Sequence, residues 1–194
     1  MVKSKPMVAL FGGSFDPPHK GHQAIVHAVA ALEDIDKVIV MPAFLNPFKK
    51  GTLATADKRL AWCQKVCKHP RVHVSDFEIS QERAVYTIET LEALKEKYTV
   101  KYLVIGADNL AQITQWRDFD KINARITWLV FDRGTKKPDC HALKHCKHLP
   151  LDIPVSSTEI RKGQALHHVD KRILDEVKKT ITHYKDTHDN QRES

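Results

Sequence analysis

Phe11-Gly12-Gly13-Ser14-Phe15-Asp16-Pro17-Pro18-His19-Lys20-Gly21-His22 is the stretch on which the reading of this chain turns. Ahead of it, Val8 to Phe11 is an apolar run with strand character; behind it, Ile25, Val26, Val29 and Leu32 recur at helical spacing. A strand enters the loop and a helix leaves it. Gly12 and Gly13 lack a β-carbon, which predicts a sharp backbone turn and amides that a ligand approaches closely. The first turn of the helix adds unpaired N–H groups and the positive end of its dipole, both suited to phosphate oxygens. His19 and His22, three residues apart, share one helical face and reach the same anion.

The rest of the chain sets the frame for that loop. At 194 residues it is sized for a single domain, 1–194, with a core over about 7–184 and a polar tail over 185–194. The opening Met-Val-Lys-Ser-Lys-Pro is followed by no apolar signal region, and no stretch approaches the ~18 apolar residues of a membrane span. The expectation is a cytoplasmic protein with no membrane partner. Cys63, Cys67, Cys140 and Cys146 come without secretory context and are expected as reduced thiols. A net charge of +7 favours anionic partners without separating a mononucleotide from RNA. Part of that excess, at Lys136, Lys137, Lys144, Lys147 and in the tail from His183, reads as solvated periphery.

Strand-like runs at Val8–Phe11, Val38–Met41, Val72–Val74, Tyr102–Ile105 and Ile126–Phe131 alternate with helical patterns. Those patterns cover Gly21–Glu33, Thr55–Lys68, Tyr86–Lys97, a short piece after Asp108, Thr158–Lys162 and Lys171–Tyr184. Alternation of this kind predicts an α/β fold, a Rossmann-like doubly wound parallel sheet. The 132–148 segment reads as an irregular, variable loop. Open parallel sheets bind ligands beyond the carboxyl ends of their strands, so the loops after Phe11, Met41, Ile105 and Phe131 should share one crevice.

A second motif, Ser156-Ser157-Thr158-Glu159-Ile160-Arg161, places hydroxyls at a helix start with a guanidinium one turn later. Two readings of it stand side by side. Ser156 and Glu159 fit a capping box that satisfies free backbone donors, and the same helix start suits a polyphosphate with Arg161 as a rigid charged fork. His19 and His22 as zinc ligands are the weaker alternative, because an HxxH pair supplies two ligands and no third lies beside it. Asp16 before two prolines reads as a turn former rather than a magnesium ligand. Cys140, His141, His145, Cys146 and His148 are spaced too irregularly for a structural zinc site.

Taken together, GGSFDPPHKGH and SSTEIR resemble the two signature motifs of the HxGH nucleotidyltransferase superfamily, over about Val8 to Lys162. Asn46-Pro47-Phe48-Lys49-Lys50, Val85-Tyr86-Thr87, Ile105-Gly106-Ala107-Asp108 and Trp116 narrow the likeness to the bacterial nicotinate mononucleotide adenylyltransferases. The resemblance implies a nucleotidyltransferase of NAD biosynthesis that uses ATP and nicotinate mononucleotide, with Mg²⁺ arriving on ATP and no protein metal ligand. It implies His19 and His22 as catalytic groups on the ATP phosphates. Gly12, Gly13, Ser14, Phe15, Gly106, Asp108, Ser156, Ser157, Thr158 and Arg161 become the ATP-binding set. Tyr86, Thr87 and Trp116 become the acceptor contacts, Trp116 as a platform for the pyridine ring. Lys49 on the acceptor side and Arg133 on the ATP side read equally as crevice cations and as solvated charges. No nucleic acid is expected, and a homo-oligomer stays open. Two rivals remain at this point: another small adenylyl- or cytidylyltransferase, such as one acting on phosphopantetheine, and a non-catalytic nucleotide- or RNA-binding protein on the same fold.

Overall fold

The structure is a computed structural model and describes residues 4–47, 51–132, 138–151 and 155–189. Its strands are β1 (Met7–Gly13), β2 (Lys37–Pro42), β3 (Val72–Val74), β4 (Thr99–Gly106), β5 (Thr127–Asp132) and β6 (Cys146–Pro150). They form one parallel sheet in the order β3-β2-β1-β4-β5-β6. The helices are α1 (Lys20–Ala30), α2 (Ala56–Val66), α3 (Phe77–Ser80), α4 (Thr87–Leu94), α5 (Phe119–Asn123), α6 (Ser157–Arg161) and α7 (Leu174–Asp189). Two 3-10 segments, Ala107–Gln115 and Leu166–His168, complete the chain order. No helix among the described residues is long and apolar enough to cross a membrane.

The central strands are apolar on both sides because helices cover both faces of a parallel sheet. Ala9 and Phe11 of β1, Val38 and Val40 of β2 and Val104 of β4 meet Val26 and Val29 of α1, Trp62 of α2, Ile160 of α6 and Val177 of α7. The intervening residues Val8, Leu10, Ile39, Met41, Leu103 and Ile105 face the other way, onto Ile88 and Leu91 of α4, Ile113 and Ile122. Chain order reverses about β1 and β4, which are direct neighbours. A crevice at such a reversal lies beyond the carboxyl ends of the strands.

Five strands fall where the apolar runs predict them. The sixth, Cys146–Pro150, corrects the C-terminal end of the 132–148 segment read as an irregular loop, whose described residues 138–145 carry no helix or strand: it pairs with β5 from Trp128↔Cys146 to Asp132↔Pro150. It is an edge strand of polar and half-buried residues, so it carries no apolar run. Cys140 is joined by a disulfide to Cys146, the first residue of this strand, whereas Cys63 and Cys67 are free, buried thiols; the expectation of four thiols holds for Cys63 and Cys67 only. The piece after Asp108 is 3-10 rather than α-helical. Residues 185–189 of the expected polar tail continue α7.

Candidate active site

One cleft of about 520 Å³ opens at the reversal point, within the size range of small-ligand sites. Its first wall is the β1–α1 loop. Gly12 and Gly13 do not make the turn predicted for them. They finish β1, in register with Met41 and Pro42, and the chain turns afterwards at Phe15 (φ 47°) and the cis Asp16-Pro17 bond. A left-handed phenylalanine is uncommon and persists where packing over-determines it. Here the Phe15 ring, 2% exposed, is fixed edge-on against Phe11 at 5.2 Å and against His22 at 4.9 Å. Its side chain therefore belongs to the core, and what it offers a ligand is backbone. Gly12 remains useful for a different reason than turning: it is exposed beside the cleft and brings no side chain to cover its amide.

His19 caps the start of α1 and is 3% exposed. Its ring stacks on that of His22 with centroids 3.8 Å apart and planes 29° off parallel. The His19 backbone N–H donates to His22 Nδ1 at 3.2 Å. An Nδ1 that accepts a hydrogen bond leaves the proton of a neutral imidazole on Nε2, so His22 is set up as a donor from that atom. Gly21 between the two histidines has a steric cause: a Cβ there would lie 2.9 Å from His19 Nδ1 and 3.2 Å from Val155. Only glycine lets the helix start, the histidine ring and the second motif pack together.

The floor of this wall is held by two buried charged residues. Asp16 accepts from the Leu53 N–H at 2.7 Å and the Ala54 N–H at 3.0 Å, so its carboxylate is committed to the β2–α2 connection. Arg59 of α2 donates to the carbonyls of Ser14 (2.7 Å), Ala43 (2.6 Å), Phe44 (2.7 Å) and Ala54 (3.2 Å). Burial lowers the Arg59 pKa and the nearby Asp16 charge opposes that. Together they tie the β1–α1 loop to the chain that follows β2.

The second motif lies directly on the first. Ser156 forms the capping box: its Oγ accepts from the Glu159 N–H at 3.2 Å, and its own N–H donates to Glu159 Oε2 at 2.9 Å. Ser157 Oγ donates to the Pro17 carbonyl at 3.0 Å, and Arg161 donates to the Asp16 carbonyl at 2.9 Å and to Thr158 Oγ1 at 2.8 Å. Capping thus falls to Ser156 and Glu159, while Ser157 and Arg161 join the second motif to the backbone of the first. At the end of β4, Asn109 Nδ2 donates to the Gly106 carbonyl at 3.1 Å, and a Cβ on Gly106 would collide with Asp108 Oδ1.

The far end of the cleft is aromatic. Tyr86 and Thr87 open α4, with the Tyr86 N–H held by Glu89 Oε2 at 3.0 Å. Trp116 is half-buried on the cleft wall and is braced edge-on by the buried Trp128, centroids 6.0 Å apart. Arg117 lies over the Tyr86 ring, 4.9 Å from its centroid. Glu78 of α3 also lines the cleft and is 8% exposed, with Thr90 Oγ1 donating to its Oε1 at 2.6 Å. Burial pushes its carboxyl up to about 7; the Thr90 hydrogen bond opposes this and the Glu89 charge adds to it. Among the described residues no three His, Cys, Asp or Glu side chains converge as a metal cage.

Residues 10–163 match the model of the cytidylyltransferase-like family. The chain belongs to that family. A probable nicotinate-nucleotide adenylyltransferase of Sulfurovum sp. (strain NBC37-1) is 47% identical over 180 residues, 92% of this chain and 96% of that protein. One of Sulfurimonas denitrificans is 43% identical over 183 residues, 93% and 96% of the two chains. In fold, the chain is similar to Plasmodium falciparum nicotinic acid mononucleotide adenylyltransferase complexed with NaAD, with a TM-score of 0.70 at 20% identity over 94% of this chain and 96% of that one.

In this member of the cytidylyltransferase-like family, every site residue read from the sequence lines the one cleft, with two exceptions: Lys49 and Arg133 lie outside the described residues. Sequence reading missed Arg59, Glu78 and Arg117. Arg59 left a trace, since Arg59, Trp62, Cys63 and Val66 form one buried helical stripe with a charge in an apolar position. Glu78 and Arg117 left none.

Proposed function

We propose that this chain transfers the adenylyl group of ATP to nicotinate mononucleotide, releasing pyrophosphate and forming nicotinate adenine dinucleotide, a step of NAD biosynthesis carried out by a single domain in the cytoplasm. The observation that carries this reading is the pairing, in one cleft, of the stacked His19–His22 start of α1 and the α6 start with a Trp116–Tyr86 wall at the opposite end. The first arrangement suits a polyphosphate, the second a flat aromatic ring.

A phosphate oxygen of the mononucleotide attacks the α-phosphorus of ATP, a new P–O bond forms, and the bond from the α-phosphorus to the pyrophosphate oxygen breaks. A phosphate monoester with a second pKa near ~6 is already dianionic at neutral pH, so no base has to activate it. What remains is to align two anions and to stabilise charge on the departing pyrophosphate. His22 does so as a donor from Nε2, with the Nδ1 contact fixing its tautomer. Backbone N–H groups of the β1–α1 loop and of the α6 start supply further donors, with Thr158 and Arg161 on the outer phosphates. Gly106 gives close access to the nucleoside, and Asp108 accepts from its ribose. Mg²⁺ brought in with ATP would screen the triphosphate's charge; Asp16, whose carboxylate is taken up by backbone donors, is not read as its ligand.

The reading is tested by following pyrophosphate release from ATP and Mg²⁺ with nicotinate mononucleotide, nicotinamide mononucleotide or phosphopantetheine as acceptor. Turnover fastest with nicotinate mononucleotide is expected. Turnover with phosphopantetheine alone would overturn the substrate, and no release with any acceptor would overturn the activity.

A further inference from the structure

Glu78 of α3 is a carboxyl group set into the cleft wall, 8% exposed, and no cation pairs with it among the described residues. Asp16, also buried on the cleft, spends both oxygens on backbone N–H groups; Glu78 spends one. Its Oε1 accepts from Thr90 Oγ1 at 2.6 Å. Its Oε2 makes no hydrogen bond among the described residues and is not sealed in as His148 Nε2 is, so it has an open side, and the cleft is the space that Glu78 lines. Thr90 fixes where along the cleft this happens, because Tyr86 and Thr87 lie one turn earlier on the same helix and also line it. Few charges face Glu78. From α4 comes Glu89, held by Arg83 and by the Tyr86 N–H, both at 3.0 Å. Of the elements on which α3 packs, β2 carries only Lys37, at the end away from the cleft, and α2 adds one buried charge, Arg59, whose donors are spent on four carbonyls. Asp76, ahead of α3, is exposed.

Resting on the function proposed above, we propose that Glu78 is a further acceptor-binding residue, which meets the mononucleotide as an uncharged acid donating a hydrogen bond from Oε2 into the cleft. With Oε1 already accepting from Thr90, the proton of the neutral acid belongs on Oε2, and that atom becomes a donor. The acceptor is an anion whose oxygens call for donors. An ionised Glu78 meets them with like charge and no proton, whereas the neutral acid meets them with an O–H. The surroundings favour the neutral form: burial raises the carboxyl pKa to about 7, the Thr90 hydrogen bond opposing and the Glu89 charge adding. The acceptor therefore binds best to protonated Glu78, and its affinity falls as pH rises through 7.

The test measures the KM of nicotinate mononucleotide at saturating MgATP for the parent, Glu78→Gln and Glu78→Ala from pH 6 to pH 8. The acceptor's own ionisation is common to all three proteins and cancels in their ratios. The protonated fraction of Glu78 falls about ten-fold over that range. The parent's KM should therefore rise about ten-fold relative to Glu78→Gln, which keeps an oxygen for Thr90 and an N–H for the cleft at every pH. The same slope should appear relative to Glu78→Ala, which lacks the donor and should have a KM about five-fold above the parent's at pH 6. The KM of ATP should follow neither change. A parent-to-variant ratio that is flat in pH would overturn the assignment, and so would a Glu78→Ala protein that matches the parent at pH 6. Equal changes in the KM of ATP would overturn it as well, making Glu78 a support for the cleft wall. A parent enzyme that uses neither pyridine mononucleotide would instead overturn the function on which the assignment rests.

Discussion

The two ends of the cleft are built on opposite plans. At the phosphate end, the side chains under the loop spend their bonds on one another's backbone: Arg59 on four carbonyls, Asp16 on two amides, Ser157 and Arg161 on Pro17 and Asp16. At the proposed acceptor end, shape is set by aromatic faces, and among the described residues Arg117 and one oxygen of Glu78 make no hydrogen bond. A triphosphate is the same anion in every reaction of this kind, so its cradle profits from rigidity and preorganised donors. The acceptor is what distinguishes one such enzyme from another, and an aromatic slot with a few adjustable polar groups is the cheaper thing to vary.

The hardest way to break this contrast is to unlock the rigid end. Arg59→Met removes a buried cation, leaves four carbonyls without that donor and strips Asp16 of its nearby charge. Removing one partner from a buried charged network costs about 3–5 kcal/mol. Urea denaturation should show that loss in folding free energy, and a loss under 1 kcal/mol would mean that the loop does not depend on the clamp. His22→Ala comes next and acts on chemistry instead of stability. Loss of one preorganised donor lowers turnover about 10²–10³-fold, with the acceptor's KM little changed, because the contact strengthens as charge develops. Unchanged kcat would remove His22 from the mechanism.

These two residues also mark what a reader of the sequence alone can and cannot see. His22 sits in a contiguous motif whose strand, loop and helix are local, so residue type and spacing reveal it. Arg59 matters through Ser14, Ala43 and Phe44, which only the tertiary fold brings near; the sequence shows no more than a charge on an apolar stripe. The same divide explains the turn. Glycines at 12 and 13 advertise conformational freedom, yet the left-handed residue is Phe15, and long-range packing against Phe11 and His22 puts it there. Central strands are legible from their unbroken apolar runs, but the edge strand Cys146-Lys147-His148-Leu149-Pro150 is wet on too many positions to look like one. Glu78 and Arg117 are single charged residues from α3 and from the end of the 3-10 segment, so no short-range pattern connects them to the cleft.

At the acceptor end, Glu78 allows a pH test. Its carboxyl pKa is raised in the folded protein, from the ordinary 4.5 to about 7. The folded state therefore holds this proton more tightly than the unfolded chain does. Stability from this group is fully present below pH 4.5, falls as pH rises from 4.5 to 7, and is flat above that. The whole change is on the order of 3 kcal/mol. Glu78→Gln keeps an oxygen for the Thr90 hydroxyl and cannot ionise, so it should lack this slope and be more stable than the parent at pH 8 while matching it near pH 4.5. Denaturation at the two pH values checks this, and a parallel pH dependence in both proteins would place the titrating group elsewhere.

The smallest expected effect sharpens the contrast most. Trp116 is half-buried, with one edge braced by Trp128 and a face on the cleft, so Trp116→Ala removes a platform and leaves the phosphate end untouched. Stacking on a flat ring is worth about 1–2 kcal/mol, which corresponds to roughly a ten-fold rise in the acceptor's KM with ATP's KM and kcat preserved. Both pyridine acceptors should suffer alike, because the ring is common to them. An effect confined to ATP would mean that the two ends had been assigned the wrong way round. An equal rise for both substrates would mean that the Trp116–Trp128 pair supports the whole cleft and that the rigid and adaptable ends are not separable.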